Sequence, residues 1–275
     1  MNKPQQQLFD GPRSGRRTFA PEEAASILAD RNLGNRNRSA SVVARYARDM
    51  AAGNWQLNGD AIRFDVDGRL IDGQHRLQAC VESGVPLTSF VVWNLPREAQ
   101  ATMDDGRKRT MANTLQFAGH DVHAKTVSSI LRRALILDWT DGARTKGGTA
   151  PSKAEMSAYY DAHPLVGAAA VAADLTRANV RCAASTLGLA YLIFARIDPA
   201  QAEEFFVKLR TGAGLEEGDP ILVLRNRLTR EGSTRLATES DETLAWFILA
   251  WNAKRAGRRI KILRHKTGDR FPVAA

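Results

Sequence analysis

The chain has 275 residues, 44% of them hydrophobic and 25% charged, and its 39 Lys and Arg outnumber 30 Asp and Glu to give a formal net charge of +9. This is the composition of a globular protein, and no apolar run reaches the roughly 20 residues that a membrane helix needs, so no membrane partner is expected. Two cysteines, Cys80 and Cys182, offer no disulfide framework. The Gln-rich, then basic start has no apolar core for a signal peptide, so a cytoplasmic location is expected.

In chain order, residues 1–17 read as a flexible arm, because Pro4, the Gln5-Gln6-Gln7 run and Gly11-Pro12 have nothing to bury. Ordered sequence is expected from Phe19, with Pro21-Glu22-Glu23 in the first turn of a short helix. Val43, Tyr46, Ala47 and Met50 recur at helical spacing, which predicts a helix over 41–52 closed by Gly53. The period then changes. Ala61 to Phe64 alternates, Asp67-Gly68 is a hairpin-turn pair, and Arg69 to Ile71 returns as a second strand. This turn accounts for Asp65 and Asp67, which could otherwise suggest a nuclease metal site. Leu77, Cys80 and Val81 then form the apolar face of a helix from Gln74 to Ser83, stopped by Gly84. A strand over 87–93 follows, and Pro96 opens a further helix that reaches Met103.

Beyond Thr110 only helical patterns remain, at about 110–118, 122–139, 152–162, 164–178, 183–197, 199–211, 220–230 and 239–256. The fold class expected is α+β, a mixed domain over 18–115 followed by an all-helical domain over 116–275. The last helical pattern reads as amphipathic, with Leu244, Phe247, Ile248 and Trp251 inward. Lys254, Arg255, Arg258, Arg259, Lys261 and Arg264 follow with almost no acid among them. With a pI near 9.9, this segment is the candidate contact to a DNA phosphate backbone.

The junction at Asp72-Gly73-Gln74-His75-Arg76 carries the most chemistry. A strand, a glycine corner and a helix start together bring N–H groups and the positive end of a helix dipole toward an anion. Glycine allows close backbone approach, and His75 and Arg76 supply donors in the first turn. From spacing alone an ordinary turn with two solvated side chains explains the same residues.

The run Gly68-Arg69-Leu70-Ile71-Asp72-Gly73-Gln74-His75-Arg76-Leu77-Gln78-Ala79 resembles the ParB/sulfiredoxin superfamily. In that superfamily the matching strand–turn–helix holds nucleotide phosphates, through Gly-Glu-Arg-Arg, Gly-Cys-His-Arg or Asp-Gly-His-His-Arg in different branches. The letters DGQHR also name a motif in DNA-modification systems, and similar segments occur in phage proteins, which would place this chain in the host cytoplasm. The resemblance covers about residues 35–115. It implies that Gly73, Gln74, His75 and Arg76 hold the phosphates of ATP or another NTP. Asp72 and His75 become the candidate catalytic pair. Gln74 stands where sulfiredoxin has its nucleophilic cysteine, which argues against sulfinic-acid repair, and Cys80 falls on the core face. By the same likeness Asp104 and Asp105 could hold Mg²⁺, while Arg107, Arg109, Arg36 and Arg38 could neutralise phosphate charge. Trp55 is either core or a base-stacking side chain.

Three readings follow from the resemblance. The first is an ATP-dependent phosphotransferase acting on DNA, with Asp72 as general base on a hydroxyl such as that of a hydroxymethylated pyrimidine. The alternative is a nucleotide-gated DNA-binding protein, and a ParB-like nuclease stands third. No Walker A loop occurs, and His120 with His123 lacks a third metal ligand.

Overall fold

A computed structural model describes residues 11–35, 37–103, 110–117, 119, 122–148, 150–230, 240–266 and 268–275. The chain is mixed α+β and falls into two compact units, Met1–Lys108 and Arg109–Ala275.

The first unit holds one four-stranded sheet in the order β1-β4-β2-β3, formed by β1 (Arg13–Phe19), β2 (Ala61–Asp65), β3 (Leu70–Asp72) and β4 (Leu87–Leu95). β4 runs antiparallel to β1 and parallel to β2, and β2 with β3 is an antiparallel hairpin. The hairpin turn is held by Asp65, whose Oδ1 accepts from the backbone N–H of Asp67 at 3.0 Å and of Arg69 at 2.8 Å. Helices α1 (Pro21–Asp30), α2 (Ala40–Ala51) and α3 (Gln74–Ser83) share a core with one face of this sheet. Phe19, Ile62, Phe64, Leu87 and Val91 from the strands meet Val43, Met50, Leu77 and Cys80 from the helices. Burial pushes the Cys80 thiol above its ordinary pKa, as suits a core residue.

Two local expectations change. Arg13–Phe19 is a strand, although residues up to 17 read as a flexible arm; residues 1–10 lie outside the described residues. Only Phe19 of β1 is buried, so the strand has no alternating pattern to betray it. Its order comes from register with Leu87 to Trp93 on a distant segment, the kind of pairing that overrides local propensity. The segment after Pro96 is a 3-10 turn (Arg97–Thr102) rather than an α-helix, with i→i+3 bonds from Ala99 N to Pro96 O and from Met103 N to Gln100 O.

The second unit is helical in its described residues: α4 (Met111–Phe117), α5 (Ala124–Trp139), α6 (Lys153–Ala162), α7 (Leu165–Thr176), α8 (Ala184–Ile197), α9 (Pro199–Thr211), α10 (Pro220–Arg230) and α11 (Ser240–Arg255). α8 is its hub, packed against α5, α7, α9 and α11. Phe194 on α8 stacks on Trp251 with ring centroids 4.3 Å apart, and Phe205 and Phe206 close the cluster. α11 is not amphipathic as expected. Leu244, Phe247, Ile248 and Trp251 are buried as expected, but so are Ala245, Trp246, Ala250 and Ala253; the Arg227 guanidinium of α10 lies over the Trp246 ring, and the C-terminal segment runs against Trp251 and Asn252. That segment is pinned by bonds from Trp251 Nε1 to Ala275 O and from Asn252 Nδ2 to Val273 O, and its Leu263 is buried.

A buried polar knot ties the same unit together. The Arg133 guanidinium donates to Thr145 Oγ1 at 3.0 Å and Thr186 Oγ1 at 2.7 Å, and pairs with Asp241 at 3.3 Å. Burial lowers the Arg133 pKa, and the Asp241 charge partly offsets it. Among the described residues no helix is long and apolar enough to cross a membrane.

Gly188 sets how closely the hub packs. A Cβ there would overlap Ile130 on α5 and stand 3.3 Å from the backbone oxygen of Ala169 on α7. Gly188→Val is therefore expected to cost about 1–3 kcal/mol through overpacking. Urea denaturation checks this, and an unchanged midpoint would mean that the three helices are not in such close contact.

Candidate functional site

The β2–β3 hairpin shapes the site. Its register shifts between Arg63 and Phe64, so Phe64 pairs with Leu70 while Arg63 pairs with Asp72. A bulge of this kind re-aims the side chains beyond it. Leu70 stays in the core, and the Asp72 carboxylate meets Arg63 instead.

Asp72 Oδ2 is shared by two guanidiniums. Arg63 Nη1 pairs with it closely, and Arg76 Nη2 lies 3.1 Å away. The same Arg76 nitrogen donates to Ala61 O at 2.8 Å, so Arg76 ties the first turn of α3 to the start of β2 and the end of β3. Neither arginine engages Oδ1. Arg76 was expected among the phosphate ligands; its guanidinium, only 11% exposed, is turned to Asp72 and the β2 backbone.

Gly73 makes the corner at φ 107°, a conformation that L side chains rarely adopt, and its carbonyl accepts from Arg76 N and Leu77 N to start α3. A Cβ at Gly73 would overlap the side chain of Ile62 and stand 3.4 Å from its Cα. The glycine is thus required twice, by its dihedral and by the approach of β2.

A cavity of about 320 Å³ opens at this corner. Its walls are Ile71, Asp72, Gly73, Gln74 and His75 from the turn, Gly34 and Asn35 from the α1–α2 loop, Gln100 from the 3-10 turn and Met103 just after it. That is the lower end of the volumes found for small-molecule sites, roughly 300–1,000 Å³. His75 Nε2 accepts from Ser39 N at 3.0 Å, so Nδ1 carries the proton in this arrangement.

Side-chain amides brace the walls. Gln100 Nε2 donates to Asn35 Oδ1 at 2.8 Å and to Ile71 O at 3.0 Å. Asn35 Nδ2 reaches Asn32 Oδ1 at 2.7 Å and Leu70 O at 2.6 Å, and Asn32 Nδ2 reaches the buried Gln74 at 3.3 Å. Sequence reasoning weighted the arginines of the Asn35 to Arg38 segment and passed over Asn32 and Gln100. Loop amides carry no periodic signal, so nothing local could have singled them out.

The structure brings Asp72, Gly73, Gln74 and His75 together on one cavity wall. Arg38 is exposed and outside the lining. Arg36, Asp104, Asp105, Arg107 and Arg109 lie outside the described residues. No group of three metal-ligating side chains occurs among the described residues. Trp55 packs on the core, its ring edge-to-face with Tyr46 at 5.1 Å.

In the second unit the basic segment divides. Lys254 is bound to Asp219 at 2.7 Å, Arg259 to Glu216 and the Glu217 carbonyl, and Arg255 lies over the Trp251 ring. Arg258, Lys261 and Arg264 are exposed and make no ion pair among the described residues.

No protein-family model, curated protein or solved structure matches the chain.

The double demand on Gly73 is measurable. Gly73→Ala is expected to destabilise the protein by about 2–4 kcal/mol, from the left-handed backbone and the clash with Ile62. In an Ile62→Val background, which removes the clashing methyl, the same substitution should cost less. Denaturant unfolding of the four variants reads the difference, and strictly additive effects would contradict the close approach.

Proposed function

We propose that this chain binds a nucleoside triphosphate by its phosphates at the β3–α3 turn, in a domain of ParB/sulfiredoxin type, and that occupancy of this site governs association with DNA. The cavity at the start of α3 carries the reading. It joins a glycine corner, a helix N-terminus and the His75 side chain in one concave space. A helix start attracts anions through its dipole and through the N–H groups of its first turn. Side-chain amides fix the surrounding loops, so the space is held in shape before a ligand arrives, which lowers the entropic cost of binding.

Mg²⁺ accompanying such a nucleotide fits this wall in a limited way. It commonly takes one or two carboxylates and completes its shell with phosphate oxygens and water. Asp72 Oδ1, which neither arginine engages, is the carboxylate oxygen suited to that part. The association with DNA is supported by the +9 net charge and by the uncompensated Arg258, Lys261 and Arg264.

The same oxygen favours a second reading, phosphoryl transfer to a DNA hydroxyl such as that of a hydroxymethylated pyrimidine. There the acceptor oxygen bonds to the γ-phosphorus, the bond from that phosphorus to the β–γ bridging oxygen breaks, and Asp72 Oδ1 takes the hydroxyl proton. The gated binding module ranks first because Asp72 already has a task that needs no proton transfer, which is to hold Arg63 and Arg76.

Titration calorimetry with ATP and Mg²⁺ is expected to show saturable binding that His75→Ala weakens about tenfold, the loss of one hydrogen bond to a charged group. DNA affinity measured with and without ATP should differ by at least about fivefold, the lower range of measured site–site couplings. No binding of any nucleoside triphosphate would overturn the proposal. Label passing from γ-labelled ATP into hydroxymethylated DNA would establish the second reading over the first.

A further inference from the structure

The helices of the first unit share their core with one face of the sheet, and the strand registers define what stands on the other. Arg16, Phe90 and Ala61 are successive partners across β1, β4 and β2. Ser14, Val92, Arg63 and Asp72 form the next row across all four strands. Phe90 lies on this second face, since its neighbour Val91 is fully buried in the core while Phe90 is 41% exposed. Thr18 and Thr88 share the face and touch through their hydroxyls at 2.8 Å, Thr18 exposed and Thr88 half-buried.

An aromatic ring half open to water in the middle of a sheet face loses favourable burial, and a hairpin or helix would ordinarily cover it. Its surroundings point to a particular kind of cover. β1 carries Arg13, Arg16 and Arg17 and no acid. Arg17 is neutralised by Glu23, but Arg13 and Arg16 are exposed and form no ion pair among the described residues. An uncompensated guanidinium in direct register with an exposed aromatic, edged by hydroxyls, offers a π-face, a positive charge and hydrogen-bonding groups within one strand spacing. An apolar protein partner would leave Arg16 desolvated and unpaired. A double helix keeps its base faces stacked inside. A single strand presents base faces and phosphates side by side, which matches both features.

We propose that this open sheet face binds single-stranded nucleic acid, with Phe90 stacking on a base and Arg16 contacting the backbone phosphates. The site is distinct from the nucleotide cavity and does not depend on it, since neither residue lines that cavity. The two adjoin at Asp72, which closes the row Ser14–Val92–Arg63 and also forms part of the cavity wall. A strand laid along that row would end beside the β3–α3 turn.

The test is fluorescence anisotropy of the full chain, without nucleotide, against a labelled 12-nucleotide single strand as DNA, the same sequence as RNA, and the DNA duplex. At least one single strand is expected to bind more tightly than the duplex, and the arm that binds better identifies the natural polymer. Phe90→Ala should weaken that binding roughly tenfold, as loss of one base–aromatic stack does. Arg16→Glu should weaken it and flatten its salt dependence. Phe90 is exposed, so both variants are expected to keep the circular dichroism of the parent. Phe90→Trp should retain binding, and the added tryptophan emission should be quenched by the strand, which a merely structural residue would not produce. Equal affinity of the parent and Phe90→Ala for single strands, a preference for duplex, or no binding of either single strand would each overturn the proposal.

Discussion

One carboxylate oxygen organises the candidate site. Asp72 Oδ2 accepts from Arg63 on β2 and from Arg76 on α3, so a single atom joins two strands and the first turn of a helix. The arrangement works because the hairpin register shifts between Arg63 and Phe64, which takes Asp72 out of the core face and sets it opposite that arginine. Without the bulge, Asp72 would follow Leu70 toward the apolar side, where an ionised carboxylate is costly. Arg76 in turn is anchored by the Ala61 carbonyl, which fixes the start of α3 relative to β2. The Gly73 corner between them has no room for a side chain, so the pair of ion contacts and the tight turn reinforce each other.

The rest of the cavity depends on this corner being rigid. The α1–α2 loop would otherwise be a short irregular connection. It is held instead by Asn35 and Asn32, which bond to the Leu70 carbonyl and to Gln74 at the corner. Gln100 reaches the same network from the 3-10 turn. Three segments distant in sequence thus converge through neutral amides, beside the charged cluster of Asp72, Arg63 and Arg76. An anion entering the cavity would meet amide dipoles and a helix start, with one partly neutralised carboxylate at the edge.

Much of this was legible in the sequence, for reasons that differ from place to place. The β2–β3 hairpin announced itself through Asp67-Gly68, because few dipeptides suit so tight a turn. The span of α3 was bounded by two glycines, Gly73 and Gly84, both in left-handed backbone. Every helix beyond Thr110 followed from its apolar spacing. β1 was not legible, since an edge strand of arginines and small residues looks like a linker until its distant partner is known. The full burial of α11 was missed because side chains from other segments, such as Arg227 over Trp246, cover its expected outer face, and periodicity within a helix cannot report that. At the site, Asp72, Gly73 and His75 stood out by their motif. The direction of Arg76 did not, because a first-turn arginine can reach outward to a ligand or back to i−4, and here Asp72 holds it back.

The central claim is that the β3–α3 turn is where a nucleotide's phosphates sit, and hydrogen–deuterium exchange with and without ATP and Mg²⁺ tests it most directly. The account predicts nucleotide-dependent slowing in peptides spanning residues 70–78, with a smaller effect at 32–39 where the bracing amides and Ser39 lie. Slowing confined to the basic segment at 254–266, with the turn unchanged, would contradict it and place nucleotide binding elsewhere.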